Sequence, residues 1–272
     1  MTGWGDLARE CAAWGESGRL ATWWWRDDDA VAATPALDTL LEVARGPIAL
    51  AVIPARLQPD LMPRLRGNPE AKVLQHGFAH INNAPAGGRK SEFPDERDLE
   101  AIRADLGTGF KKLSAAFGPQ FLPVLTPPWN RAGGRTVAIL QSIGFMGLTR
   151  YLPRPAAQAA GVNLSNTHVD VIDWRGTGIG STRPFLGESA CLDLFIGHLR
   201  ARRLGEADGQ EPTGVLSHHL VHDPSTWRFL EKLRDFLGNQ AAARLLDPSA
   251  VFAAGHATGD GSLAGKLSGS FE

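Results

Sequence analysis

The stretch RLATWWWRDDD at residues 19–29 joins apolar, β-favouring side chains to three consecutive acids. Threonine and tryptophan favour extended backbone, so this stretch predicts a buried strand that ends at the acids. Two more apolar runs follow, IALAVIP at 48–54 and AKVLQHG at 71–77, and the helical pattern ATPALDTLLEVARG at 33–46 precedes them. Strands that alternate with helices indicate a parallel sheet with crossover helices.

The same alternation continues along the chain. Further strands are predicted at 121–128, 145–150, 167–174 and 213–220, and helices at 94–118, 133–144, 188–203, 224–237 and 239–246. Seven strands with intervening helices predict an α/β fold, a closed or nearly closed (β/α) barrel. In such barrels the chemistry lies at the carboxyl ends of the strands.

Composition restricts the class of protein further. The 272 residues are 43% hydrophobic, which is enough for a substantial core, and no linker is evident; we expect one domain over 1–272, with a core at about 19–250 and a loose Gly/Ser-rich tail at about 257–272. The formal charge of −1 gives no electrostatic footprint for nucleic acid. No apolar run approaches the ~18 residues of a membrane span. Without an apolar leader, the expected location is cytoplasmic.

Side chains of metal-binding type follow several predicted strands. His76 and His80 are four residues apart, a spacing that places two imidazoles on one side of a helical turn. Three adjacent carboxylates, Asp27 to Asp29, repel one another unless a cation or a solvated turn compensates. Two histidines, one aspartate and an open position form a ligand set of catalytic zinc sites.

These residues resemble the polysaccharide deacetylases, carbohydrate esterase family four, which include the nodulation-type chitooligosaccharide deacetylases. The resemblance covers residues 19–222 and consists of five motifs in the family's order. They are Trp25-Arg26-Asp27-Asp28-Asp29 for Thr-Phe-Asp-Asp-Gly, His76 and His80 for His-x-x-x-His, Thr126-Pro127-Pro128-Trp129-Asn130 for Arg-x-Pro-aromatic-Gly, Asp173-Trp174 for Asp-Trp, and Leu216-Ser217-His218 for Leu-x-His. The family fold is a distorted seven-stranded (β/α) barrel, which agrees with the strand pattern.

The resemblance implies a role for each matched residue. Asp27 is expected to be the general base, His218 the general acid and Asp173 the residue that orients it. The implied metal ligands are Asp28, His76 and His80. The implied substrate-binding residues are Pro128, Trp129, Asn130 and Trp174.

Two positions leave alternatives open. Thr126 occupies the position at which the family has the arginine that tethers the base. Arg26, Arg131 or Arg175 could supply the missing guanidinium. Asp170 could replace Asp173 as the partner of His218, because successive side chains of a strand alternate between its two faces and these two acids, three residues apart, lie on opposite faces.

The resemblance implies a metal-dependent hydrolase that removes an acetyl group from an N-acetylated sugar or sugar precursor. The implied cofactor is one divalent metal, with zinc the first choice and cobalt, nickel or manganese as alternatives. The expected partner is a small-molecule or oligosaccharide substrate, with no nucleic acid. Two other functions stay open: hydrolysis of a non-sugar amide such as a formamide, and an inactive barrel that binds carbohydrate or a partner protein.

Overall fold

The computed structural model describes residues 2–253. Its strands are β1 (Ala21–Ala30), β2 (Ile48–Val52), β3 (Ala71–His76), β4 (Phe121–Thr126), β5 (Gly147–Leu148), β6 (Gln158–Ala159), β7 (Val162–Leu164), β8 (Val169–Asp170), β9 (Thr213–Ser217) and β10 (Ala243–Leu245). Its helices are α1 (Trp4–Glu16), α2 (Pro35–Ala44), α3 (Leu61–Arg66), α4 (Leu99–Phe117), α5 (Gly134–Ile143), α6 (Glu188–Leu204), α7 (Pro224–Gly238) and α8 (Pro248–Val251). The predicted tail at about 257–272 lies outside the described residues.

One sheet contains all ten strands, in the order β6-β7-β5-β4-β3-β2-β1-β9-β8, with β10 paired to the start of β1. Every pair is parallel except β6 with β7. The predicted parallel (β/α) arrangement is therefore confirmed. Closure is not: the sheet ends at β6 and β8, and a single parallel bridge between Tyr151 and Thr167 joins the segments that follow β5 and precede β8.

Each of the seven predicted strands overlaps one strand of the sheet, whereas β6, β7 and α3 were not predicted and two longer segments also differ from prediction. Residues 239–246 were predicted as a helix, but β10 lies there and pairs Ala243 with Ala21. The amino-terminal helix α1 was not predicted, and it packs its buried Leu7, Cys11 and Trp14 against the rest of the core.

The three tryptophans of β1 are core residues on both faces of the sheet. Trp23 and Trp25 belong to one apolar cluster and Trp24 to another, as expected when successive side chains point to opposite faces. The Trp25 indole also donates to Ser217 Oγ at 2.8 Å, which links β1 to the end of β9. Burial of three indoles anchors the strand that carries the acids.

The carboxyl ends of the parallel strands meet at one edge of the sheet. Asp27 in β1 is in register with Ser217 in β9, and His76 in β3 with Thr126 in β4. This edge is where the predicted functional groups gather. Among residues 2–253, the helices are all too short or too polar to cross a bilayer.

Candidate active site

Asp29, His76 and His80 form a group whose ligand atoms all lie within 4.8 Å of one another. Asp29 Oδ1 is 3.2 Å from His76 Nε2 and 3.5 Å from His80 Nε2. Oδ1 is buried and has no hydrogen-bond partner among the described residues. The His76 Nδ1–H donates to the Thr126 carbonyl at 3.0 Å, which leaves the Nε2 lone pair free to face the group. A carboxylate and two imidazoles that converge in this way fit a divalent cation.

The structure differs from the sequence prediction on the carboxylate of this group. Asp28 was the expected ligand, but Asp29 is the acid that faces the two histidines. The pairing of β1 with β2 shifts register between Asp27 and Ala30, and Asp29 has a left-handed φ of 71°. This irregularity turns the last acid of the strand toward β3, although Asp29 stands where the family has glycine.

The turn from His76 to His80 is not helical, in contrast to the interpretation of their spacing. β3 ends at His76, and Gly77 and His80 both have left-handed backbone, with φ of 56° and 61°. A Cβ at Gly77 would clash with Glu92 Oε2 and the Pro128 ring. Glycine is therefore required where the family has serine or threonine.

Glu92, which sequence reasoning missed, holds this turn. Its buried carboxylate accepts the backbone N–H groups of Phe78 at 3.1 Å, Ala79 at 2.7 Å and His80 at 3.1 Å. Burial raises the pKa of Glu92, and these backbone donors oppose the rise. The residue lies in the loop at 85–96, and no local pattern in the sequence marks it as different from a solvated loop acid.

Asp28 forms a two-pronged ion pair with the fully buried Arg26. The guanidinium donates to Asp28 Oδ1 at 2.9 Å and to Oδ2 at 3.1 Å. It also donates to Thr149 Oγ1 at 2.8 Å and to Asn130 Oδ1 at 2.6 Å. Arg26 therefore tethers a carboxylate of the site, whereas Thr126 cannot.

The other two candidate arginines are differently placed. Arg131 donates from Nη1 to the Lys90 carbonyl at 3.0 Å, and Arg175 is exposed. Of the three alternatives left open by the sequence, the structure brings Arg26 to the acids of β1.

Asp27, the expected general base, is bonded on both carboxylate oxygens to the loop after β9. Its Oδ2 accepts Ser217 Oγ–H and the His219 backbone N–H at 3.0 Å, and its Oδ1 accepts His219 Nδ1–H. Burial alone would raise the pKa of Asp27, but the charge and hydrogen bond of His219 bring that pKa below its ordinary value. His219, which matches none of the five motifs, is therefore the partner of Asp27.

His218 lies on the same edge, packed against Trp174. The two ring centroids are 4.7 Å apart and nearly perpendicular, and His218 Nδ1 is buried with no hydrogen-bond partner among the described residues. The Trp174 indole donates to Asp170 Oδ2 at 2.7 Å. Burial raises the pKa of Asp170, and the nearby His218 partly offsets that rise.

Asp173, the expected partner of His218, has a different contact. Its Oδ1 accepts the Arg175 backbone N–H at 3.0 Å, a local turn contact. The alternative, Asp170, is the carboxylate near His218.

Trp129 contacts the second histidine of the pair, with its ring centroid 4.5 Å from that of His80. Trp129 and Asn130 have left-handed backbone, with φ of 55° and 57°. Pro128 is buried against Gly77, and Asn130 bonds Arg26. Of the expected substrate-binding residues, Trp129 and Trp174 border the site. Pro128 and Asn130 instead contact residues that position the site, namely Gly77 and Arg26.

A second buried group lies at the other end of the sheet. His168, His198 and Glu211 also bring three ligand-type atoms within 4.8 Å. However, His168 Nδ1 accepts the Gly214 backbone N–H at 2.9 Å, so a neutral His168 carries its proton on Nε2. That protonated nitrogen lies 3.4 Å from Glu211 and has no lone pair to offer a metal, and the two imidazole rings are stacked 3.4 Å apart. This cluster fits a structural hydrogen-bond network and not a metal centre.

The fold is similar to that of solved deacetylases and esterases. A peptidoglycan N-acetylglucosamine deacetylase is 14% identical with a TM-score of 0.53, over 89% of this chain and 96% of that one. A family 4 carbohydrate esterase from Streptomyces lividans, in complex with acetate, is 13% identical with a TM-score of 0.53, over 86% and 97%. A family 4 acetyl xylan esterase from Clostridium thermocellum, in complex with a cobalt ion, is 11% identical with a TM-score of 0.51, over 85% and 89%.

These likenesses confirm the predicted fold, the polysaccharide deacetylase type of α/β barrel, here with an open sheet. No protein-family model matches the chain, and no curated protein sequence does either. At such low identity the likeness establishes the fold alone, consistent with a divergent branch.

Proposed function

We propose that this protein is a metal-dependent deacetylase that acts on an N-acetylated sugar. The observation that supports the proposal most strongly is the group of Asp29, His76 and His80, with the tethered Asp28 next to it in the chain. The ligand set is one carboxylate and two imidazoles, for which zinc is the first choice and cobalt, nickel or manganese are alternatives. A divalent cation there would polarise the acyl carbonyl and make water in its coordination sphere more acidic.

Asp28 is the proposed general base. Its charge acts on His76 and on Asp170, so it lies near a proposed metal ligand and near the carboxylate beside His218. The bidentate guanidinium of Arg26 fixes the orientation of this carboxylate, which suits it to accept a proton from the attacking water. Asp27 is assigned a structural role, because its carboxylate is paired with the buried His219, whereas the charge of Asp28 acts on the proposed ligand His76.

His218 is the proposed general acid. Its ring is held by Trp174, and Asp170 lies close enough to stabilise an imidazolium. A proton held there can pass to the nitrogen of the leaving amine as the C–N bond breaks. The exposed indole of Trp174 and the ring of Trp129 would flank the acyl group and the sugar. The backbone N–H of Trp129 is the proposed donor to the oxygen of the tetrahedral intermediate.

The replacement of the family arginine by Thr126 no longer favours an inactive barrel. Arg26 supplies the missing guanidinium from the strand that carries the base. Acetyl-amide hydrolysis is therefore preferred over pure carbohydrate binding.

The test is metal content by elemental mass spectrometry, combined with acetate release from N-acetylglucosamine oligomers and N-acetylated sugar phosphates. We expect about one divalent ion per chain in the wild type and in Asp28→Asn, and close to none in Asp29→Ala. Acetate release should be confined to the wild type. Retention of the ion by Asp29→Ala would contradict the ligand assignment. A metal-loaded wild type that releases no acetate from any of these sugars would contradict the activity.

A further inference from the structure

Three cationic side chains gather beside Trp129 at the edge of the site. Lys90 Nζ lies 6.0 Å from the centroid of the Trp129 ring. Arg131 donates to the carbonyl of Lys90, and burial, together with the charge of Arg89, lowers the pKa of the Arg131 guanidinium. Lys90 and Arg89 are exposed and Arg131 is partly exposed, so each can be reached from solvent.

None of these three side chains forms an ion pair with a carboxylate within residues 2–253. The nearest acids along the chain are engaged elsewhere. Glu92 accepts three backbone N–H groups, and Asp95 accepts the N–H groups of Gly134 and Arg135 at the start of α5. The chain as a whole is nearly neutral, with 28 basic and 29 acidic residues, so the excess of positive charge is local.

The position of this cluster relates it to the chemistry. Trp129 contacts His80, so Lys90 is separated from a proposed metal ligand by a single aromatic ring. Like charges at such short range repel one another, and an anionic group offsets that repulsion. Guanidinium and ammonium groups together suit the oxygens of phosphate or carboxylate.

We propose that Arg89, Lys90 and Arg131 form an anion subsite, and that the substrate is an N-acetylated sugar bearing a phosphate or carboxylate group. The acetamide would face His80, and the anionic group would lie beyond Trp129 on the side of Lys90. This inference rests on the proposed deacetylase function for the identity of the acyl sugar. The anion subsite itself rests on the placement of the three cations.

Binding measured by calorimetry tests the anion subsite separately from the deacetylase activity. The protein is metal-loaded Asp28→Asn, which should bind its substrate without turnover. The probes are N-acetylglucosamine 1-phosphate, N-acetylmuramic acid and neutral N-acetylglucosamine, which distinguish phosphate from carboxylate. In this background, Lys90→Ala with Arg131→Ala should weaken the preferred anionic probe by about tenfold or more, with no change for the neutral sugar.

Two further variants keep the result interpretable. Arg66→Ala with Lys111→Ala removes the same charge from exposed positions on α3 and α4, and should leave binding of all three probes unchanged. Arg89→Glu alters a side chain with no hydrogen bond among the described residues, and should weaken the anionic probe while the fold is kept.

Each outcome decides something. The subsite is refuted if both anionic probes bind no tighter than the neutral sugar, or if the distant pair weakens them equally. If the anionic probe depends on these cations but wild-type enzyme releases no acetate from it, the subsite stands and deacetylation falls.

Discussion

The carboxylate of Glu92 should determine how tightly the site holds its metal, although Glu92 is not a ligand. It fixes a turn with left-handed backbone at Gly77 and His80 through three charge-assisted hydrogen bonds of 2.7 to 3.1 Å. Each such bond contributes roughly 1.5 kcal/mol when buried, and the partly exposed turn can recover some of this from water. Glu92→Ala should therefore lower the free energy of unfolding of the metal-free protein by about 3 kcal/mol.

The larger consequence is for His80, whose backbone N–H is one of the three donors. Loss of a group that orients a ligand typically lowers metal affinity by about 10- to 100-fold. Glu92→Gln should have an intermediate effect. Its single carbonyl oxygen can still accept from Ala79 and His80, while its amide N–H₂ would face the N–H of Phe78.

The assay is competition for zinc against a chromophoric chelator, with urea unfolding of the metal-free proteins alongside. Leu237→Ala is the matched control, because it removes a buried side chain in α7 at a cost of about 3 kcal/mol without touching the site. The control should bind zinc as the wild type does. Equal zinc affinity in Glu92→Ala and Leu237→Ala, at equal stability, would refute a positioning role for Glu92.

Three other variants test the remaining network. Arg26→Lys replaces the two-pronged contact with Asp28 by a point charge. We expect kcat to fall at least tenfold while the metal content stays unchanged, and an unaltered kcat would show that the tether to Asp28 is dispensable. Asp27→Asn removes the charge paired with His219 in the core, so urea unfolding should show a loss of about 3 kcal/mol with metal still bound; metal loss at unchanged stability would contradict the structural role. Burial lowers the pKa of His198 far below its usual 6.5, so the unfolded chain binds a proton that the folded one does not, and stability falls as pH drops below 6.5. His198→Gln should therefore take up about one proton fewer on unfolding between pH 6 and 4.5. The free energy of unfolding, plotted against pH, should then have a slope shallower by about 1.4 kcal/mol per pH unit; an unchanged slope would rule out His198 as the source of the dependence.

The sequence predicted the parallel strands well, because buried strands appear as continuous apolar runs. It missed β6, β7 and β10, which are two or three residues long and too short to show any periodicity. The error at 239–246 has a specific cause. Three alanines and two leucines there favour a helix by local propensity, but pairing with β1 overrides it. Pairing between residues more than 200 positions apart is not visible in a local pattern.

The candidate site was predicted in outline, and the order of the acids was not. Three identical residues in a row leave their register ambiguous, since a shift of one position preserves the letters and changes every role. Strand alternation places Asp27 and Asp29 on one face and Asp28 on the other. The structure departs from that rule at the register shift near Asp29. The three acids are distinguished only by their partners, which are His219 for Asp27, Arg26 for Asp28 and His76 for Asp29.

Backbone strain in this protein is concentrated at the site. Of the seven non-glycine residues with positive φ in the described part of the chain, four border it: Asp29, His80, Trp129 and Asn130. Such backbone costs roughly 1 kcal/mol or more per residue and persists only where surrounding contacts impose it. Two of those contacts are visible. Glu92 accepts the N–H of His80, and Arg26 donates to Asn130 while it holds Asp28.

Arg26 and Glu92 therefore have two functions in the same contacts. Each stabilises a strained turn, and each fixes the direction of a group to which a role is proposed: Asp28 as the base and His80 as a metal ligand. Because the contacts are shared, loss of either side chain should relax the turn and disorder the ligand geometry together, while the core around the tryptophans of β1 stays packed. The chain can carry Thr126 and Gly77 in place of the family residues for this reason: the tether and the turn support come from Arg26 in β1 and Glu92 in a distant loop.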